Sequence, residues 1–176
     1  MLESETLLLR PITDTDNTAV FAYRSDAATN QYQGFIPKSL DEVDAFIARN
    51  PTEWDTPNTW FQLVILERET NTLVGDVGVH FIGKAGQQCE IGCTINKNYQ
   101  GQGYAPHAMK LIINHLFGAL NKQRIIASVD PRNTPSLRLL ERLGFRKEAH
   151  FKKSLYLNGQ WVDDMVYALL QDDWNI

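Results

Sequence analysis

The 176-residue sequence is poor in cysteine, has no long apolar run and carries no excess of positive charge. Each shortage excludes something. The two cysteines, Cys89 and Cys93, fall in one short β-like run. On a strand, residues four apart lie roughly 13 Å apart at about 3.3 Å per residue, whereas a disulfide needs Cα atoms within about 7 Å. The spacing predicts reduced thiols, as in a cytoplasmic protein. There is no stretch of 18 apolar residues and no basic-then-apolar leader, so neither a membrane span nor a secretion signal is expected. A net charge of −4 supplies no basic field for nucleic acid or an acidic bilayer. The four histidines show no paired ligand spacing, and no metal site is expected. Repeats and low-complexity segments are missing too, and 43% apolar content suits one compact domain over residues 1–176.

What is present is an orderly alternation of elements. Residues 6–12 read as a strand stopped by Pro11. Asp14 or Asp16 can cap a helix through about Ser25, with Ala19, Val20 and Tyr23 on one face. A loop at 30–37 precedes Ser39-Leu40-Asp41-Glu42, a capping box that starts a second helix with Leu40, Val43, Phe46 and Ile47 inward. Residues 50–59 are irregular. Strands at 60–67, 73–81 and 90–95, with turns at 68–72 and 83–87, suggest an antiparallel meander. Apolar residues from Ala105 to Leu120 then recur at helical spacing. A short apolar strand, 124–129, is broken by Asp130-Pro131-Arg132-Asn133. Thr134 is the expected N-cap of a helix with Pro135 first, Leu137, Leu140 and Leu143 inward, and Gly144 ending it. Strands at 145–157 and 161–170 are joined by the hairpin signal Asn158-Gly159.

The pivot of this order is Gln100-Gly101-Gln102-Gly103-Tyr104-Ala105. Two glycines remove Cβ atoms where a backbone must wrap closely around something bulky. The helix start just beyond adds unpaired N–H groups and the positive end of a dipole, which together favour an anion such as phosphate. A Rossmann site, which would bind NAD, competes for this loop. Asp130 does end the next strand, where a ribose-binding acid would sit. However, Pro106 holds the third glycine's place, and residues 96–100 separate the strand from Gly101. A P-loop fails because no Gly-Lys-Ser/Thr follows.

Gln100-x-x-Gly103-x-Ala105, between Glu90-Ile91-Gly92 and a long helix, resembles the pyrophosphate motif Gln/Arg-x-x-Gly-x-Gly/Ala of GNAT acetyltransferases. About thirty residues on, Asn133-x-x-Ser136 and Leu140-Glu141-Arg142-Leu143-Gly144-Phe145 resemble the second arm of the branch that acetylates ribosomal-protein N-termini. Thr6-Leu7-x-Leu9-Arg10-Pro11, Tyr156-Leu157-Asn158-Gly159 and Asp164 are similar to the same branch, so the likeness spans nearly the whole chain. It implies an α/β (α+β) fold with a mixed, mostly antiparallel sheet flanked by helices. Two central parallel strands, 90–95 and 124–129, splay apart in it. It implies acetyl-CoA as co-substrate, without a metal, and a primary amine as acceptor. That amine belongs to a protein N-terminus or to a small molecule such as an antibiotic, polyamine or amino acid, and the protein is a monomer or homodimer. A CoA-binding module without turnover is a different class; intact Asn133 and Ser136 argue against it.

The resemblance also implies roles. Backbone atoms of Cys93, Thr94 and Ile95 would pair with the pantetheine amides as an added strand would. Gln100, Gly101, Gln102, Gly103, Tyr104 and Ala105 would receive the pyrophosphate. Asn133 would bond the cofactor arm or substrate, or simply form the turn. N–H groups near Thr94 and Ile95 would polarise the thioester carbonyl. Many relatives protonate the departing thiolate with a second-arm tyrosine; Leu139 and Leu140 stand here instead. Ser136 is the candidate donor, its alternative being a polar residue that solvates the helix end. Glu90 is the candidate base, directly or through water, with His80 its rival and a plain surface carboxylate the alternative. Cys93 is read as a small core residue and not a nucleophile. His107 and His115 are expected in solvent. Specificity falls to the loops at 30–37 and 50–60. Tyr32, Phe35 and Trp54 are candidate substrate contacts, while Trp60 and Trp161 are expected to pack.

Overall fold

The computed structural model describes residues 1–83 and 86–174. The middle of the turn expected at 83–87 lies outside the described residues. The elements are β1 (Leu2–Glu3), β2 (Leu7–Pro11), α1 (Asn17–Arg24), α2 (Leu40–Ala48), β3 (Trp60–Glu67), β4 (Thr72–Ile82) and β5 (Gln88–Ile95), followed by α3 (Tyr104–Asn114), β6 (Arg124–Val129), α4 (Thr134–Arg142), β7 (Arg146–Leu157) and β8 (Gln160–Leu170). The strands form one sheet in the order β1-β2-β3-β4-β5-β6-β8-β7. Among the described residues, only β5 and β6 pair in parallel; the other neighbours are antiparallel. The expected mixed α/β fold with one parallel central pair is therefore the one observed. The two-residue β1 left no periodic pattern and was not foreseen.

Both faces of the sheet are covered, which explains why β3 and β4 are buried along nearly their whole length instead of alternating. On one face, Ala108, Met109, Ile112 and Ile113 of α3 and Leu140 of α4 pack against Leu7, Leu63, Val77, Val79, Ile91 and Ile125. On the other, Val20 and Tyr23 of α1 and Val43 and Ile47 of α2 cover Val64 and Leu66. Ile112 is fully buried, and truncating such a side chain to alanine typically costs about 2–5 kcal/mol.

The helix ends modify the sequence reading. Ser39 caps α2 by accepting the Glu42 N–H at 3.3 Å, and the Glu42 carboxylate accepts from the Lys38 N–H at 2.8 Å. Leu40, expected inward, is 42% exposed, because the first turn of α2 projects beyond the sheet. The long helix does not run uniformly to Leu120; its last stretch, His115–Ala119, is a π-helical turn. The cap of α4 is Asn133 and not Thr134: the Asn133 side chain accepts the Ser136 N–H at 3.3 Å. Ser136 is thus the third helical residue instead of the second. Asn158 and Gly159 both take positive φ, +50° and +84°, as a tight primed hairpin turn requires. Trp60 and Trp161, expected to pack, are 45% and 61% exposed, one at the open end of β3 and the other at the tip of the outermost hairpin.

Candidate active site

The parallel pairing between β5 and β6 is brief. Gln88, Cys89 and Glu90 pair with Arg124, Ile125 and Ile126, and beyond them the strands diverge. Ile91 to Ile95 remain paired with β4 on one side but have no strand partner on the other. A gap therefore opens at the carboxyl ends of two parallel strands, with main-chain polar groups along its edge. Cys93, Thr94 and Ile95 lie on that edge. An extended amide-bearing ligand can occupy such an edge by strand addition.

The segment after β5 turns through a short 3₁₀ helix, Lys97–Tyr99, into the glycine loop. Gln100 folds back, its Nε2 donating to the Ile95 carbonyl at 2.9 Å, and Gln102 Nε2 donates to the Asn98 carbonyl at 3.0 Å. These side chains brace the loop and leave its backbone to face outward. Gly101 and Gly103 take φ of +76° and +88°, which glycine adopts without penalty, and a Cβ at either would enter open space. Gly103 caps α3 without a side-chain bond. Among the described residues, none of the N–H groups from Gly101 to Ala105 finds a protein acceptor. Tyr104 turns its hydroxyl away to Glu67 at 2.7 Å, so its backbone is what it offers the loop.

The second arm starts where β6 ends. Buried Asp130 holds Arg132 through both carboxylate oxygens, at 2.9 and 2.6 Å, shaping the turn into α4. Asn133 is occupied at Oδ1 by its capping bond. The Ser136 hydroxyl makes no hydrogen bond among the described residues. Both helix starts follow the parallel pair at its carboxyl end, so they flank the same gap.

On the α1–α2 face a cleft of about 700 Å³ opens beside β5. Its floor includes Gln62, Gly78, Gly92 and Thr94, and its walls include Phe35, Phe46 and Trp60. Gly78 and Gly92 are register partners, and a Cβ on Gly78 would meet Gln62 Oε1 at 2.4 Å. Phe35 and Phe46 stack with ring centroids 4.4 Å apart, and Trp60 stacks on His80 at 5.0 Å. Trp60 is therefore a cleft wall, because the floor beneath it is glycine. Phe35 lines the cleft as well. Tyr32 instead lies under the Arg132 guanidinium at 5.6 Å, bridging the loop to the second arm. Trp54 stacks on Phe61 at 4.4 Å and packs with the main core, away from the cleft lining.

Glu90 and His80 are also register partners, and the carboxylate lies 3.8 Å from His80 Nδ1. Burial raises the Glu90 pKa; Asp164 adds to the rise and His80 opposes it. Asp164 in turn accepts from the Ser128 hydroxyl at 2.6 Å on β6. The remaining histidines are elsewhere. His107 Nδ1 is 3.1 Å from Thr6 Oγ1, and His150 pairs with Asp163 at 2.9 Å. His115, expected in solvent, packs 4.6 Å from Trp54 with a buried, unbonded Nε2, and burial lowers its pKa.

The acetyltransferase (GNAT) domain model matches residues 6–146 of this chain. The chain belongs to the GNAT acetyltransferase family. It is 32% identical, over 99% of both chains, to the uncharacterized N-acetyltransferase YnaD of Bacillus subtilis. It is 37% identical to the [ribosomal protein uS5]-alanine N-acetyltransferase of Escherichia coli, over 49% of this chain and 44% of that protein. Among solved structures, a GNAT-family acetyltransferase from Bacillus anthracis superposes with a TM-score of 0.86 at 29% identity, covering 97% of this chain and 98% of that one. The protein is accordingly an N-acetyltransferase.

Two features of this GNAT site bear on its chemistry. Burial pushes the thiols of Cys89 and Cys93 up to about 12, leaving a thiolate fraction of about 10⁻⁵ at neutral pH. Neither is suited to be a nucleophile. Sequence reasoning passed over the second feature. Asp76, in mid-strand, is buried under the cleft and accepts from Tyr23 Oη, from Arg24 Nε at 2.8 Å and Nη2 at 2.5 Å, and from Gln62 Nε2 at 2.8 Å. Arg24 also reaches the Phe35 carbonyl at 3.4 Å and lies 5.8 and 5.5 Å from the Phe35 and Phe46 rings. A charged residue inside an apolar strand pattern was the available signal. Among the described residues, no group of three or more His, Cys, Asp or Glu is arranged to hold a metal, and no helix is long and apolar enough to cross a membrane.

Proposed function

We propose that residues 1–176 act as one domain that moves an acetyl group directly from acetyl-CoA to a primary amine, foremost the α-amine of a peptide or protein N-terminus. The run of five unpaired N–H groups at the start of α3, beside a gap between parallel strands, carries this reading. N–H groups with no acceptor favour an anion, and Gly101 and Gly103 let a pyrophosphate approach the backbone closely. The pantetheine arm then lies along Cys93, Thr94 and Ile95, and the thioester reaches the gap. Gln100, Gly101, Gln102, Gly103, Tyr104 and Ala105 form the cradle, the two glutamines by bracing it. Asn133 fixes the first turn of α4.

The amine enters from the cleft. Glu90, beside the His80 on which the cleft wall Trp60 stacks, takes the amine proton directly or through water, and its raised pKa brings it nearer to a working base at neutral pH. The nitrogen's lone pair attacks the thioester carbon, main-chain N–H groups of β5 stabilise the oxyanion, and the C–S bond breaks. The Ser136 hydroxyl, unbonded within the described residues, donates to the departing thiolate and recovers its proton from solvent water, so that CoA leaves as the thiol and the hydroxyl is restored. Phe35 and Trp60 contact the acceptor; Tyr32 and Trp54 support them through packing. Two unlinked thiols, Cys89 buried and Cys93 half-buried, suit a cytoplasmic protein, active as a monomer or homodimer.

A small-molecule amine is the second reading, favoured by the cleft's volume, which is that of a small-ligand site. Thiol release from acetyl-CoA across a panel of peptides, amino acids, polyamines and antibiotic amines tests both. Turnover with peptides above all small amines is expected. CoA binding without turnover on any amine would leave a binding module, and NAD binding without CoA would overturn the donor.

A further inference from the structure

We infer that the cleft selects acceptors carrying a negative charge a few residues from the amine, an acidic N-terminal peptide segment, and that Arg49 is the residue reading that charge. This deepens the acetyltransferase reading above and rests on it. The charges lining the cleft are those of Arg24 and Arg49, and no carboxylate is among its lining residues. Arg24 is neutralised by its bidentate bond to Asp76. Arg49, at the end of α2, spends only its Nε, on the Ala45 carbonyl at 3.2 Å. Among the described residues no carboxylate comes within salt-bridge distance of it. Its two terminal nitrogens are free for a planar anion.

The nearest carboxylate on this face of β5 lies outside the lining: Glu90 is the register partner of His80, on whose ring the cleft wall Trp60 stacks. Glu90 on β5, with Asp164 close enough to raise its pKa, stands where the amine must arrive. Arg49 stands over β3: the next residue, Asn50, exchanges hydrogen bonds with the Gln62 backbone there, at 2.6 and 3.2 Å. Two strand spacings, about 10 Å, separate β3 from β5. A basic group thus lies within the cleft and an acidic one beyond its Trp60 wall. An extended peptide covers about 10 Å in roughly three residues. Between the two ends, Phe35 and Phe46 on one side and Trp60 on another present apolar surface for a side chain. A polyamine would bring a second ammonium toward Arg49, where like charges repel.

The test compares two tripeptide amides, Ala-Phe-Glu-NH₂ and Ala-Phe-Gln-NH₂, with free phenylalanine and spermidine, by thiol release and by the quenching of tryptophan fluorescence that Trp60→Phe removes. The acidic peptide should have a KM about ten- to a hundredfold below its neutral twin, the worth of a charge-assisted bond. Arg49→Gln should erase that ratio and leave the KM for acetyl-CoA unchanged, and Arg49→Glu should invert it. Equal KM values for the two peptides in the parent enzyme, or a ratio that survives Arg49→Gln, would overturn the inference while leaving acetyl transfer standing. So would a preference for spermidine or free phenylalanine. If no acceptor releases thiol, the acetyltransferase reading itself fails; quenching by the acidic peptide alone would still uphold the charge selection, and equal quenching by both peptides would end it.

Discussion

Glu90 and His80 face each other across β5 and β4 as register partners, the carboxylate 3.8 Å from the imidazole Nδ1, at the point where β5 parts from β6. The pair lies at the last parallel pairing of β5 with β6, beside the cleft wall Trp60, whose ring stacks on His80. Its electrostatics set the pH dependence expected of the enzyme. A carboxylate with a raised pKa is a base only once deprotonated, so kcat should rise with pH through a midpoint above the ordinary glutamate value of about 4.3. Glu90→Gln should remove that limb and lower kcat by about 10²–10⁴. A pH–rate profile that Glu90→Gln leaves in place would hand the proton to His80 or to water.

Gly103→Val should abolish CoA binding. The residue sits at φ +88°, where a β-branched side chain is strained, and the strained loop would withdraw its N–H groups from the pyrophosphate. Titration calorimetry with CoA reads the effect directly; an unchanged dissociation constant would remove the cradle from the mechanism.

Ser136→Ala should reduce kcat by at least tenfold and leave both the acetyl-CoA KM and the melting temperature nearly unchanged. The bond from Ser136 to the cap uses its backbone N–H, which alanine retains. Asn133→Ala should do the opposite to stability, losing a cap worth about 0.5–2 kcal/mol. Equal turnover of Ser136→Ala and parent enzyme would reduce Ser136 to a first-turn residue.

Asp76→Ala should destabilise the fold by about 3–5 kcal/mol, since it strands the buried Arg24 guanidinium without its counter-charge. Chemical denaturation measures this. A loss under 1 kcal/mol would show that Arg24 finds another partner, and the Phe35 wall it holds would then be independent of Asp76.

The elements, their order and the glycine loop before α3 were legible in the sequence because each is written locally. Alternation and β-rich runs marked the strands, helical spacing marked α3 and α4, and glycines at Gly101 and Gly103 marked positions where positive φ was needed. The hairpin at Asn158-Gly159 was legible for the same reason. Trp60, Trp161, Leu40 and His115 were misplaced because burial depends on what covers a residue. Trp60 stands over Gly78, and nothing in its own neighbourhood of the chain reports that. The cap of α4 slipped by one residue because Asn133 and Thr134 are both good caps, and only the bond to the Ser136 N–H decides between them.

The chain by itself determined the family, the fold and the positive-φ glycine loop, since these depend on backbone conformation and on motifs whose residues lie within a few positions of one another. Tertiary structure alone decided the acceptor side. Asp76, Arg24, Arg49 and Trp60 come from different helices and strands, and whether a charge there is neutralised or free depends on distances between segments that sequence spacing does not encode.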